Sequence, residues 1–185
     1  MNYVVNIAID NSITKANVSL SNAENTSIWY RITGSHMKML ADISERNELK
    51  DSVNFPVLPM VWVPDTFKVR VGNAEDLFDY EVSDLTMYFI SVSKPELNYQ
   101  RRENEVIKPN IQPFVNAFLS QSVFNPYLYI GASSNFLEQK SEYMPDFGAK
   151  LYNGKNSLLE NTDAIKITFG NFNLIYNADC LPVNQ

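Results

Sequence analysis

The sequence predicts a single α+β domain, built from a mainly antiparallel, twisted sheet with two or three helices packed on one face. Three observations predict this class. Helix-like periodicity occurs near the N-terminus and again in the middle of the chain, strand-like alternation fills the other segments, and no repeat or linker divides the 185 residues. Domains usually contain about 100–200 residues, so we expect one domain over 1–185.

The first predicted element is an N-terminal helix over residues 1–24. Its apolar residues recur at spacings of three or four, as on one face of an amphipathic helix: Val5, Ile9, Ile13, Ala16 and Leu20. Strands are expected across 28–92, beginning with a short β-rich run that ends at Thr33-Gly34. The run 55–64 is rich in proline, which favours an edge strand because proline cannot donate to a ladder.

The clearest strand is predicted at 78–92, after a polar loop at 65–76. In its second half both alternating sets of residues are apolar. A strand of this kind is contacted on both faces, so we expect it in the middle of the sheet.

A helix is predicted over 101–123, where apolar residues again fall three or four apart. Pro109 and Pro113 lie inside it, so a kinked helix or two short helices are expected. C-terminal strands are expected over 127–177. The alternation of apolar residues changes at Gly170-Asn171, which predicts a bulge or a tight bend.

The tetrapeptide Gly34-Ser35-His36-Met37 is identical to the short sequence that many expression vectors leave before a cloned start codon. If it is such a junction, the natural protein begins at Met37 or Met39. A periodic pattern precedes it without any histidine tag, which favours a coincidence.

Composition limits the chemistry open to the chain, because it has one His and one Cys. A disulfide within the chain and a Cys/His zinc cluster are therefore excluded. His36 has no acid or nucleophile near it in sequence, and Cys180 lies five residues from the C-terminus without a catalytic motif. The glycines occur singly along the sequence, which argues against a glycine-rich loop that binds a nucleotide. We expect no catalytic residue, no metal and no cofactor.

The net charge of −6 argues against nucleic acid as a direct partner. Proteins that bind phosphates need a basic face, and the only adjacent basic pair, Arg101-Arg102, is followed by Glu103 and Glu105. No apolar run approaches the roughly 18 residues that a membrane span needs. The N-terminus does not resemble a signal peptide, so we expect a protein of the cytoplasm or of something assembled there.

Aromatic residues make up 12% of the chain, and tyrosine and tryptophan are enriched at protein interfaces. Several of them fall in segments predicted as edges or loops. The predicted subunit-interface residues are Trp62, Phe67, Val69, Arg70, Tyr127 and Tyr129.

Several segments resemble short virion proteins of phages that infect Bacteroidetes, of the tail-terminator or tail-completion type. The pattern is carried by 28–30 before a polar stretch, 55–58, 79–82 leading into 85–92, the stretch 101–109 continuing through 111–118, and the closing runs 163–167 and 172–174. The resemblance implies a tail-terminator-like α+β subunit of a homo-oligomeric ring, of hexameric size, in the tail or neck of a virion. It also implies tail-tube or neck proteins as partners, assembly in the bacterial cytoplasm, and neither enzyme activity nor a cofactor.

Two other functions stay open. A hydrolase could use an acidic pair near Asp79 and Glu81, since two opposed carboxylates can share acid and base work. A small phage-encoded binder of a host protein is the other alternative.

Overall fold

The structure is a computed structural model that describes residues 2–21, 28–35, 38–39, 41–43, 45, 58–72, 80–94, 96–120, 124, 137–144 and 162–174. It has the predicted α+β class, with mostly antiparallel strands. In chain order the elements are α1 (Asn2–Leu20), β1 (Tyr30–Thr33), β2 (Met60–Val63), β3 (Lys68–Val71), β4 (Tyr80–Ser83), β5 (Thr86–Val92), α2 (Tyr99–Arg102), a π-helix (Glu103–Ile111), α3 (Gln112–Ser120), β6 (Leu137–Met144), β7 (Thr162–Phe169) and β8 (Phe172–Leu174).

The larger sheet has five strands in the order β1-β2-β5-β7-β6, and the smaller has three in the order β3-β4-β8. Among the strands that the structure describes, only β1 and β2 are parallel. Strand β5 is central, as its two apolar faces predict. The prediction of an edge strand within 55–64 is wrong, because β2 lies between β1 and β5. Pro59 and Pro64 flank its four residues, so no ladder position lacks an N–H group.

The two sheets meet at a corner where two long strands bend together. Val82 pairs with Phe172 in the smaller sheet and Thr86 with Thr168 in the larger one, so the pairing register is the same on both sides. The predicted bend at Gly170-Asn171 separates β7 from β8. Opposite it, Asp84 has a φ of 60°, in the left-handed region. The strand predicted over 78–92 is therefore divided between two sheets.

The corner turns the apolar side of both sheets towards one core. In the larger sheet the odd-numbered Met87 and Phe89 are fully buried in this core, whereas in the smaller sheet the even-numbered Val82 is. On the other strand, Phe169 before the bend and Phe172 after it are both buried there. The change of alternation seen in the sequence is thus the change of sheet.

Helix α1 packs on this core with the residues that its periodicity singled out. Val5, Ile9, Ile13 and Ala16 are buried, and Leu20 packs against the same cluster. The helices from Tyr99 to Ser120 lie on the same face of the larger sheet, where Phe114, Val115 and Phe118 are buried. Aromatic rings run through this core from Trp29, which stacks on Phe114 with ring centres 4.4 Å apart, to Phe172.

The segment around the two prolines is helical without interruption. Gln112 donates its N–H to the carbonyl of Ile107, five residues earlier, so the helix is widened to π geometry. Pro109 lies in this wide stretch, and Pro113 follows it as the second residue of α3. The stretch with π geometry, Glu103–Ile111, contains Pro109 and joins α2 to α3.

The opposite face of the larger sheet is covered in part by helical residues that follow β1. Met39 and Ile43 are fully buried there against Met60, Ile90 and Ala164. The long helices therefore lie on one face, and a short helical segment lies on the other.

The tetrapeptide that begins at Gly34 is an integral part of this arrangement. Gly34 donates its N–H to the carbonyl of Val63, and Ser35 accepts a hydrogen bond at its carbonyl from Met39. The Ser35 hydroxyl also accepts from the N–H of Lys38. His36 and Met37 lie outside the described residues. Because β1 pairs with β2, the chain on both sides of the tetrapeptide belongs to one sheet.

Candidate interaction surfaces

Among the described residues, the most deeply buried charged groups join a helix to a strand. Arg102 and Asp163 form an ion pair with side chains only 8% and 1% exposed. Ser93 donates its hydroxyl proton to Oδ2 of Asp163 at 2.6 Å, and Nε of Arg102 donates to the same oxygen at 3.3 Å. The three side chains are thus joined to one another by an ion pair and hydrogen bonds. Their arrangement fixes the start of the helical segment on β7 and has no histidine beside it in the described residues.

No group of three or more His, Cys, Asp or Glu side chains suited to a metal ion occurs in the described part of the chain. His36 and Cys180 lie outside that part. Among the described residues, no helix is long and apolar enough to cross a membrane.

Of the two carboxylates considered for hydrolysis, Glu81 is the one that the structure describes. It lies on the outer face of the smaller sheet, opposite Arg70, whose Nε approaches its carboxylate to 2.7 Å. The neighbouring Asp84 pairs with Lys68 at 3.2 Å on the same exposed surface. Asp79 is outside the described residues. The Glu81 carboxylate is thus engaged by an arginine on a solvent-facing sheet.

The predicted interface residues that the structure describes lie in different parts of the fold. Phe67 is 4% exposed and belongs to the core, so its placement at an interface is corrected. Alternation along the chain turns Phe67 and Val69 towards the core, and Val69 is half-buried against it. Arg70 points to the outer face of the smaller sheet. Tyr127 and Tyr129 lie outside the described residues.

Trp62 lies on the other sheet, in a row of side chains that crosses it. Its ring stacks on Tyr88 with centres 4.9 Å apart, and its Nε1 donates to the carbonyl of Gly34 at 3.1 Å. Lys166 follows, with its ammonium 5.6 Å from the centre of the Tyr88 ring, and Lys140 completes the row. Trp62 therefore uses its polar atom and one face of its ring within the chain.

The outer strand β1 has a short edge that no strand of the described part covers. The bond from Gly34 to Val63 shows that the even-numbered residues of β1 direct their main-chain groups to β2. By alternation, Arg31 and Thr33 direct theirs outwards. The main chain of Trp29 on that same side is occupied by the side chain of Asn17.

The other outer strand, β6, has a longer edge, which we call the β6 edge. Phe169 donates to the carbonyl of Leu85, so odd-numbered residues of β7 face β5 and even-numbered ones face β6. In the antiparallel pairing of β6 with β7, the N–H and C=O groups of Leu137, Gln139, Ser141 and Tyr143 then point away from the sheet. No strand of the described part pairs with this side.

Strand β6 falls within the strands expected over 127–177, but the sequence did not single it out because its pattern is not apolar. Glu138 and Lys140 are exposed and Glu142 is half-buried, all on one side of the strand. The signal that marks it is alternation of charge, Glu-x-Lys-x-Glu, at the two-residue period of a strand.

The smaller sheet also ends in an exposed strand, β3. Lys68 and Arg70 point to its outer face, and Val71 at its end is 47% exposed. This strand contains two of the predicted interface residues.

Comparison with known proteins finds no relative: no protein-family model, no curated protein and no solved structure matches the chain. Functional inference therefore rests on the surfaces themselves. In the described part of the chain, the strand edges are the features that we consider for a partner.

Proposed function

We propose that this chain is a structural subunit of a bacteriophage virion, a tail-terminator or head–tail neck protein that assembles with copies of itself into a ring. The observation that carries the proposal is that the outer strands β1, β6 and β3 have no strand partner on their outer sides in the described part of the chain. Main-chain N–H and C=O groups are obligatory hydrogen-bonding groups, and an open edge is a template for a further strand.

An assembling subunit needs contacts on different sides, and the edges supply them. Strands β1 and β6 end the larger sheet on opposite sides, and β3 ends the smaller sheet. Addition of a strand to such an edge gives affinity through main-chain hydrogen bonds, while side chains set the register. Neighbouring tail-tube or neck proteins would use the edges that copies of the chain leave open.

Charge and polar side chains support assembly over catalysis or nucleic-acid binding. The net charge is −6, and the exposed cations Lys68 and Arg70 are paired with acids. The buried polar cluster of Arg102, Asp163 and Ser93 serves the fold. We propose accordingly a subunit without enzyme activity or cofactor, assembled in the host cytoplasm and located in the virion.

The proposal is tested by the mass and shape of the purified protein. Size-exclusion chromatography with light scattering should give a species several times the chain mass of 21.1 kDa, and negative-stain images should show rings. A protein that stays monomeric at high concentration, and also in the presence of tail tubes, would overturn the proposal.

A further inference from the structure

We propose that two copies of the chain pair through the β6 edge, antiparallel, about a two-fold axis that passes through Ser141. The pairing joins the two larger sheets into one continuous sheet. It deepens the proposed function, because it rests on assembly through sheet edges and names the edge, the partner and the register. A ring of hexameric size would then consist of three such pairs.

The main chain of β6 allows this pairing. Gln139, Ser141 and Tyr143 direct their N–H and C=O groups outwards, so they can form the hydrogen-bonded positions of a new ladder. With Ser141 on the axis, Ser141 faces the partner's Ser141, and Gln139 faces the partner's Tyr143. Seven of the eight residues of β6 then lie opposite another residue of β6.

The charges of β6 choose the partner, because their pattern complements itself. With Ser141 on the axis, Lys140 faces the partner's Glu142, and Glu142 faces the partner's Lys140. Opposite charges directly across an antiparallel pair are stabilising, and like charges are destabilising. A second copy thus supplies two matched pairs by symmetry, whereas any other partner would need its own matching sequence.

Neighbouring registers are less favourable. With Lys140 on the axis, Lys140 faces the partner's Lys140, and Glu138 faces the partner's Glu142, so all facing charges are alike. With Gln139 on the axis, Lys140 faces the partner's Glu138, but the overlap is shorter and stops at Ser141 within β6. Overlap and charge together select the register centred on Ser141.

The charged side chains are placed to reach a partner. Within the chain, Nζ of Lys140 lies 3.7 Å from Oε1 of Glu142, and the Lys140 side chain is 65% exposed. Pairing adds the partner's carboxylate to each ammonium and the partner's ammonium to each carboxylate. The result is an alternating ladder of charge across the joined edge.

The test exchanges these charges in the full chain. K140E alone and E142K alone each place two like-charged pairs across the axis, so each should weaken self-association by at least about tenfold at low salt. An equimolar mixture of the two variants should recover association, because every facing pair is then opposite in charge. The double variant K140E/E142K should also recover it. Light scattering measures the mass, and thermal unfolding shows that each variant is folded.

The control variant is K94E, which makes the same change of net charge as K140E at an exposed residue outside β6. It should associate like the unaltered chain. If the unaltered chain assembles and none of the β6 variants changes its mass, the β6 pairing is overturned and the proposed function stands. If the unaltered chain is monomeric, both are overturned. If K140E recovers with E138K and not with E142K, the register centred on Ser141 is overturned.

Discussion

The side chain of Asn17 forms two hydrogen bonds with the main chain of Trp29, in place of a neighbouring strand. Its Nδ2 donates to the Trp29 carbonyl at 2.8 Å, and its Oδ1 accepts from the Trp29 N–H at 3.0 Å. The carboxamide thus satisfies both main-chain groups of Trp29 on the outer side of the chain, just before β1. Because the Trp29 ring stacks on Phe114, this pair also holds α1 against the core.

Substitution N17A should lower the free energy of unfolding by about 1–3 kcal/mol, because the partly buried N–H and C=O of Trp29 lose their partners. Urea denaturation followed by circular dichroism measures the loss. T14A, at an exposed residue of the same helix, is the control and should change stability by no more than about 0.5 kcal/mol. Equal effects of the two substitutions would contradict the role given to Asn17.

Breaking the buried ion pair should be costly. R102M leaves the Asp163 carboxylate buried without its cation, and we expect a loss of about 3–5 kcal/mol in unfolding free energy. R101M is the matched control, because the Arg101–Glu105 pair is exposed and contributes about 0.3–0.5 kcal/mol. The double variant R102M/D163L should regain part of the loss, since no uncompensated charge remains. A similar loss for R101M and R102M would be inconsistent with this account.

Substitution G34A should destabilise the turn after β1 for two separable reasons. Gly34 has a φ of +133°, and a Cβ atom there would lie 2.6 Å from Cδ of Lys38. We expect a loss of about 1–3 kcal/mol, typical of strained backbone. In G34A/K38A the 2.6 Å contact with Cδ is removed, and the backbone strain remains together with a 3.3 Å contact to the Cβ of residue 38. Thermal unfolding compares the two, and full recovery in the double variant would show that φ contributes nothing.

The end of β3 provides a test of the assembly surface. Val71 is 47% exposed at the outer strand of the smaller sheet, so V71K should weaken ring formation if that strand contacts a neighbour. V18K makes the same change at a residue of α1 that is 65% exposed. We expect a mass shift of the assembly by light scattering for V71K alone. Identical masses for both variants would remove β3 from the assembly contacts.

Sequence patterns predicted the elements that bury one face in a single core. In a strand every second side chain is then apolar, and in a helix every third or fourth. The buried side of α1 and the central position of β5 follow from such periodicity. The edge assignment for β2 failed because prolines next to a strand look like prolines within it. Phe67 was assigned to a loop, although its alternation with Val69 already continued the buried side of β3.

Long-range pairing is the part that a single sequence does not contain. Nothing in residues 137–144 states that β7 lies beside them, and the charged alternation of this strand resembles a solvated loop. The buried partnership of Arg102 with Asp163, 61 residues apart, is likewise set by packing alone. Of the aromatic residues chosen for an interface, the structure describes Trp62, which stacks on Tyr88, and Phe67, which is buried in the core.

The corner at Asp84 and Gly170-Asn171 has a mechanical consequence. Since the same two strands continue from one sheet into the other in one register, a load applied at β3 passes along covalent chain and a shared ladder. The load is carried by the main chain and not by side-chain packing between the sheets. A neighbour that pulls on the smaller sheet therefore also pulls on the larger one.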